Sequence, residues 1–166
     1  LKPISMEKET AKERPDHRFR KGLVKAMKKD VMISMSGLQY MPGDEKPDTR
    51  PVEVVMPGTY YIKNGKSYLI YDEVMEGFEK KTHNIMKFSD GRIELHRKGL
   101  IDVQMVFEKN KKNLSFYKTP YGMLNMGIAA TDIQVDEKED SIDISVNYTL
   151  DMDDSYTADC TLSMTI

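Results

Sequence analysis

Glu73, Thr82, Asn84 and Arg97 are the residues whose types could do chemistry together in this chain. A guanidinium can hold an anion through a fork of N–H donors, and a carboxylate can serve as its counter-ion or as a proton acceptor. An amide and a hydroxyl between them would fix both in place. The familiar catalytic patterns are missing from the sequence. His17, His83 and His96 have no metal-ligand spacing, and there is no HExxH or CxxC. No Walker loop, glycine-rich dinucleotide turn or GxSxG elbow occurs, and the lone Cys160 has no histidine placed to activate it. Asp151, Asp153 and Asp154 read as solvated turn carboxylates rather than a cation site. The expectation is a non-enzymatic protein with no metal and no cofactor. A hydrolase working through Glu73 stays open, because burial would decide the pKa of that carboxyl.

Two hairpins position the four residues. In Thr82–Lys98, THNIMKFSDGRIELHRK, the Asp90-Gly91 pair predicts a two-residue type I′ turn and sets Ser89 opposite Arg92. Phe88 then faces Ile93, Met86 faces Leu95 and Asn84 faces Arg97 on one side of the ribbon, with His83 and His96 on the other. Asn64-Gly65 predicts a second hairpin, pairing Ile62 with Ser67, Tyr60 with Leu69 and Gly58 with Tyr71 on the inward face. Lys63 opposite Lys66 puts the other face in water. Since the end of one antiparallel strand lies beside the start of the next, Glu73 and Arg97 should flank Thr82 and Asn84. A guanidinium inside a small barrel is costly to desolvate unless paired. The simplest expectation is an internal Glu73–Arg97 ion pair; the functional one is a ligand site at the same place.

The period of two holds along the rest of the chain after Asp30. Alternating segments run over Ile101–Glu108, Asn113–Thr119, Met123–Glu137, Ser141–Asp151 and Ser155–Ile166. Inward positions read as Ile101, Val103, Met105 and Phe107, then Leu114 and Phe116, then Ile142, Ile144, Val146 and Tyr148, then Ala158, Cys160, Leu162 and Met164. Twist and unpaired edges drive such a meander to close. The expected fold is all-β, an up-and-down antiparallel β-barrel of about eight to ten strands.

At 166 residues the chain suits one domain, residues 30–166, preceded by a basic and flexible N-terminal extension over 1–29. Residues 1–29 carry ten Lys/Arg against four Asp/Glu, while Asp132–Asp159 carries ten acids and only Lys138 as a base. A solvated tail is the simplest account of that asymmetry. A short helix is expected around Phe19–Lys28, a long irregular loop at Met41–Pro51, and the segment from Met27 reads as a natural start. Without an apolar leader or an 18-residue apolar run, no secretion and no membrane association are expected, and a single cysteine suits the reducing cytoplasm.

With these residues in place, the chain resembles the YwiB-like family of small bacterial proteins with a calycin, lipocalin-like barrel. The likeness rests on Tyr68-Leu69-Ile70-Tyr71-Asp72-Glu73, on Thr82 with Lys87-Phe88, on Ile93, Leu95, Arg97 and Gly99, on Phe107, and on Tyr117-Lys118-Thr119-Pro120-Tyr121-Gly122. It spans Asp30–Ile166 and implies the barrel without an activity. The functional expectation is a cavity for a small amphipathic or anionic ligand, lined by Tyr60, Tyr71, Met86, Met105, Phe107 and Tyr148 and oriented by Arg97 with Glu73, Asn84 and Thr82. The alternative is an interaction module. Its outer Tyr61, Tyr68, Tyr117 and Tyr121 beside Lys63, Lys66 and Lys118 would engage a protein, a second copy or, less expected, nucleic acid.

Overall fold

Tight turns set the register of the whole sheet. In the computed structural model, which describes residues 27–37 and 53–166 with the side chains of 156–158 excepted, ten strands follow one another. They are β1 (Lys29–Ser36), β2 (Glu53–Lys63), β3 (Lys66–Glu73), β4 (Thr82–Ser89), β5 (Arg92–Gly99), β6 (Val103–Glu108), β7 (Lys112–Thr119), β8 (Gly122–Glu137), β9 (Ile142–Met152) and β10 (Ser155–Thr165). Asn64 and Gly65 both turn left-handed, φ 52° and 71°, as a type I′ loop requires. At Asp90-Gly91 only the glycine does, φ 70°, so this loop is not the expected type I′ turn. The two-residue connection still sets Ser89 opposite Arg92, and every predicted pair of both hairpins is present. Asp153 and Asp154, φ 48° and 62°, make the same kind of loop between β9 and β10, since aspartate tolerates the left-handed region better than most residues. The expected helix at Phe19–Lys28 falls largely, and the expected loop at Met41–Pro51 wholly, outside the described residues, as does most of the extension.

The strands form an antiparallel up-and-down meander in the order β6-β5-β4-β3-β2-β1-β10-β9-β8-β7. β1 pairs with β2 on one side and β10 on the other, so the first and last strands are joined by a ladder. The barrel's seam lies between β6 and β7. There Asp102 and Lys118 exchange backbone hydrogen bonds of 3.0 and 2.9 Å, and Asn110 N–H donates to Ala130 O at 2.9 Å. The barrel is thereby nearly closed.

Inward side chains stack in layers across β3 to β6. One end holds Phe88, Ile93 and Phe107, the middle holds Leu69, Met86, Leu95 and Met105, and the next layer holds Tyr71, Asn84, Arg97 and Val103. The opposite wall supplies Met126, Ile128, Ile144, Val146, Tyr148 and Leu162. Phe107 and Tyr148 meet edge to face at 5.1 Å across the interior. The first two layers are therefore a largely apolar packed core, with Ser67 opposite Phe88 as its buried polar member, and charge enters only in the third.

Four assignments of facing differ from the sequence reading. Leu114 and Phe116 point outward, 77% and 69% exposed, and Tyr117 points inward. The partner strand decides this: β8 turns Leu124, Met126 and Ile128 toward the core, and these lie opposite Tyr117, Ser115 and Asn113. Ile62, expected inside, lies 57% exposed beside the Asn64-Gly65 loop, at the end of its strand.

Candidate functional site

The third layer and the strand ends beyond it build one polar cluster. β3 ends with Glu73 opposite Thr82, the first residue of β4; two residues on, Asn84 faces Arg97 on β5 and Tyr71 on β3. Arg97 Nη2 donates to Glu73 Oε2, and Arg97 Nε donates to Asn84 Oδ1 at 3.2 Å. Asn84 Nδ2 donates to Glu73 Oε2 at 3.3 Å and to the Thr82 carbonyl at 3.1 Å. Thr82 Oγ1 accepts from Ile101 N–H at 3.3 Å, tying the next connection down. The side chains of Arg97 and Glu73 are only 8% and 13% exposed, so the pair has left water and its hydrogen bonds replace the lost hydration.

Tyr71 is the exception in this satisfied cluster. It is 2% exposed, and its hydroxyl has no hydrogen-bond partner among the described residues. Burial, reinforced by the nearby Glu73 carboxylate and opposed by Arg97, pushes its pKa far up, so the phenol stays neutral. Tyr117, also buried, is raised by burial and feels the same two charges. Tyr148 is raised by burial and by its contact with the Cys160 thiol, which burial raises in turn. An open cleft of about 1190 Å³ adjoins the cluster, lined by Val31, Met56, Gly58, Tyr71, Glu73, Arg97, Ile101 and Tyr117 among others. Its lining continues onto Asp30, Asp72 and Glu76, so the space reaches round the strand ends to the outside.

The structure thus brings Glu73, Thr82, Asn84, Arg97 and Tyr71 together, and Tyr71, Glu73 and Arg97 line the cleft. Met86, Met105, Phe107 and Tyr148 sit in the core instead. Tyr60 packs against that core, tilted toward Phe88 at 6.5 Å, and its hydroxyl shares a 3.1 Å hydrogen bond with Ser67. Tyr117 was missed as a lining residue; its pairing with Leu124, in phase with Met126 and Ile128, is the signal that reveals it. On the outer face His83 Nδ1 pairs with Asp72 at 2.7 Å and His96 is exposed. Among the described residues no helix is long and apolar enough to cross a membrane, and no three of His, Cys, Asp and Glu converge.

A ten-stranded meander with a buried Arg–Asn–Glu cluster across one end defines a small β-barrel protein with a polar interior site. Residues 33–164 match the family described as "Domain of unknown function (DUF1934)", which covers most of the chain, and the protein belongs to that family. It is 27% identical over 128 residues to the "Uncharacterized beta-barrel protein YwiB" of Bacillus subtilis (strain 168), a match covering 77% of this chain and 87% of that protein. The crystal structure of the ywiB protein from Bacillus subtilis superposes with a TM-score of 0.64 at 24% identity, over 82% of this chain and 91% of that one. At that identity the superposition speaks for the fold.

Proposed function

We propose that this protein is a non-enzymatic, cytoplasmic binding barrel, calycin-like in use as well as in outline, that takes a small amphipathic molecule into the cleft at the Glu73–Arg97 end. The observation that carries this reading is the Tyr71 hydroxyl: buried, without a protein partner among the described residues, and beside a cleft of about 1190 Å³. Leaving a buried hydroxyl unpaired costs about 1–3 kcal/mol, a cost that a ligand's polar end would offset. Val31, Met56 and Ile101 offer the apolar contact such a molecule needs. The free thiol of Cys160 suits a reducing compartment.

The alternative, an interaction module on the outer Tyr/Lys face, gains less support. Tyr61 and Tyr68 stack on each other at 4.9 Å and 4°, and Lys28 lies 5.7 Å from the Tyr61 ring centre, so these rings already have partners within the chain. Tyr117, counted with that face, is buried.

Native mass spectrometry of gently purified protein tests the reading. The expected result is a stoichiometric small-molecule adduct that is lost in a folded Glu73→Ala/Arg97→Ala variant. A clean apo mass, together with no fluorescence enhancement of the neutral amphipathic dye N-phenyl-1-naphthylamine, overturns it.

A further inference from the structure

We infer that the polar end of the bound molecule is electrically neutral, an amide, carbonyl or hydroxyl group that accepts a hydrogen bond from Tyr71, and not an anion held by Arg97. This rests on the interior-binding reading above. A buried arginine invites the opposite expectation, but the charge of Arg97 is already met. Its Nη2 is on Glu73 and its Nε on Asn84. Asn84 has also committed its Nδ2, to Glu73 and to the Thr82 carbonyl. An anion would have to expel Glu73, leaving that carboxylate partly buried and unpaired, or settle beside it as a second negative charge in a poorly hydrated place.

The surroundings act in the same direction. Among the described residues, Asp30, Asp72, Glu73 and Glu76 line the cleft, with only Lys81 and Arg97 as permanent cations. A cation entering the deep end would meet Arg97 as a like charge. Among the described residues lining the cleft, the buried side-chain group with no hydrogen-bond partner at all is the Tyr71 phenol, which stays protonated across ordinary pH and serves as a donor to a neutral acceptor.

The test compares three probes of equal chain length, decanamide, decanoate and decyltrimethylammonium, by isothermal titration calorimetry at pH 7. The expected result is that wild-type protein binds decanamide at least about tenfold more tightly than either ion, the scale on which an uncompensated charge discriminates. Tyr71→Phe weakens decanamide about tenfold, as loss of a buried hydrogen bond does. Glu73→Gln, which frees the Arg97 charge, reverses the order in favour of decanoate. The wild-type comparison stands whether or not the Glu73 variant folds. Equal or tighter binding of decanoate or decyltrimethylammonium to wild-type protein overturns the inference and leaves interior binding intact. Failure of all three to bind overturns both.

Discussion

Arg97 is the residue on which stability and site chemistry meet. A guanidinium 8% exposed inside a barrel is tolerable only because Glu73 and Asn84 replace its water. Arg97→Met alone leaves Glu73 uncompensated and should cost about 3 kcal/mol in urea unfolding, whereas Arg97→Met combined with Glu73→Leu should recover most of that loss. Equal destabilisation of the single and double variants would show that the pair is not coupled. Tyr71 behaves oppositely. Its hydroxyl makes no protein hydrogen bond among the described residues, so Tyr71→Phe should leave the melting temperature of the ligand-free protein unchanged or slightly raised. A clear loss would mean that the hydroxyl is satisfied within the protein. The cluster itself was legible, because a two-residue loop at Asp90-Gly91 fixes Asn84 against Arg97 by counting alone. The orphaned hydroxyl was not, because it depends on the shape of a cleft that strands far apart in sequence enclose.

The facing of a strand is set by its neighbours, and β7 and β8 show why single-strand patterns mislead. Leu114 and Phe116 look like core residues, yet Gly122 pairs with Thr119 and brings β8 alongside in the phase that sends them outward. β8 then changes phase itself. The register shifts between Ala130 and Asp132, so Met126, Ile128 and Ala130 face inward before the bulge, and Ile133 and Val135 pack against the core after it. That slip is written in the sequence as apolar residues moving from even to odd positions. What the sequence hides is which of two paired strands carries the deciding pattern. The contrast yields a direct comparison: Leu114→Ser with Phe116→Ser should hold the unfolding free energy within about 0.5 kcal/mol, the usual range for surface changes. Tyr117→Ser should cost about 3 kcal/mol or more as a buried aromatic is removed. Gly99 is a second element-scale constraint. At φ 140° an added Cβ would stand 2.1 Å from the Lys81 carbonyl oxygen, within backbone that cannot give way. Gly99→Ala should therefore cost about 2 kcal/mol or more and loosen the start of β4, read as faster amide exchange at Thr82–Asn84.

At the scale of the whole molecule, the meander was legible because nearly every connection is short and carries its own turn residues, while the position of the seam was not. Nothing in local pattern says that β1 and β10 share a ladder and that β6 and β7 meet at Asp102 and Lys118. Closure has a chemical consequence, because it brings Tyr71, Tyr117 and Tyr148 from three separate strands into one interior where burial leaves a phenolate poorly hydrated. Burial is the leading cause of a raised pKa at each. The unfolded chain ionises these phenols near pH 10, the folded barrel only higher, so between those values the folded state binds more protons than the unfolded one. Their contribution is thus fully present below about pH 10 and is lost as pH rises toward the folded values, by up to about 1.4 kcal/mol per pH unit for each tyrosine. Urea midpoints should be level from pH 7 to 9 and fall steeply above 10. Tyr71→Phe should flatten that fall by about one tyrosine's share while leaving the neutral-pH midpoint in place. A midpoint that stayed constant to pH 11.5 would mean that water reaches all three phenols and that the barrel opens along the β6–β7 seam far more readily than its core packing implies.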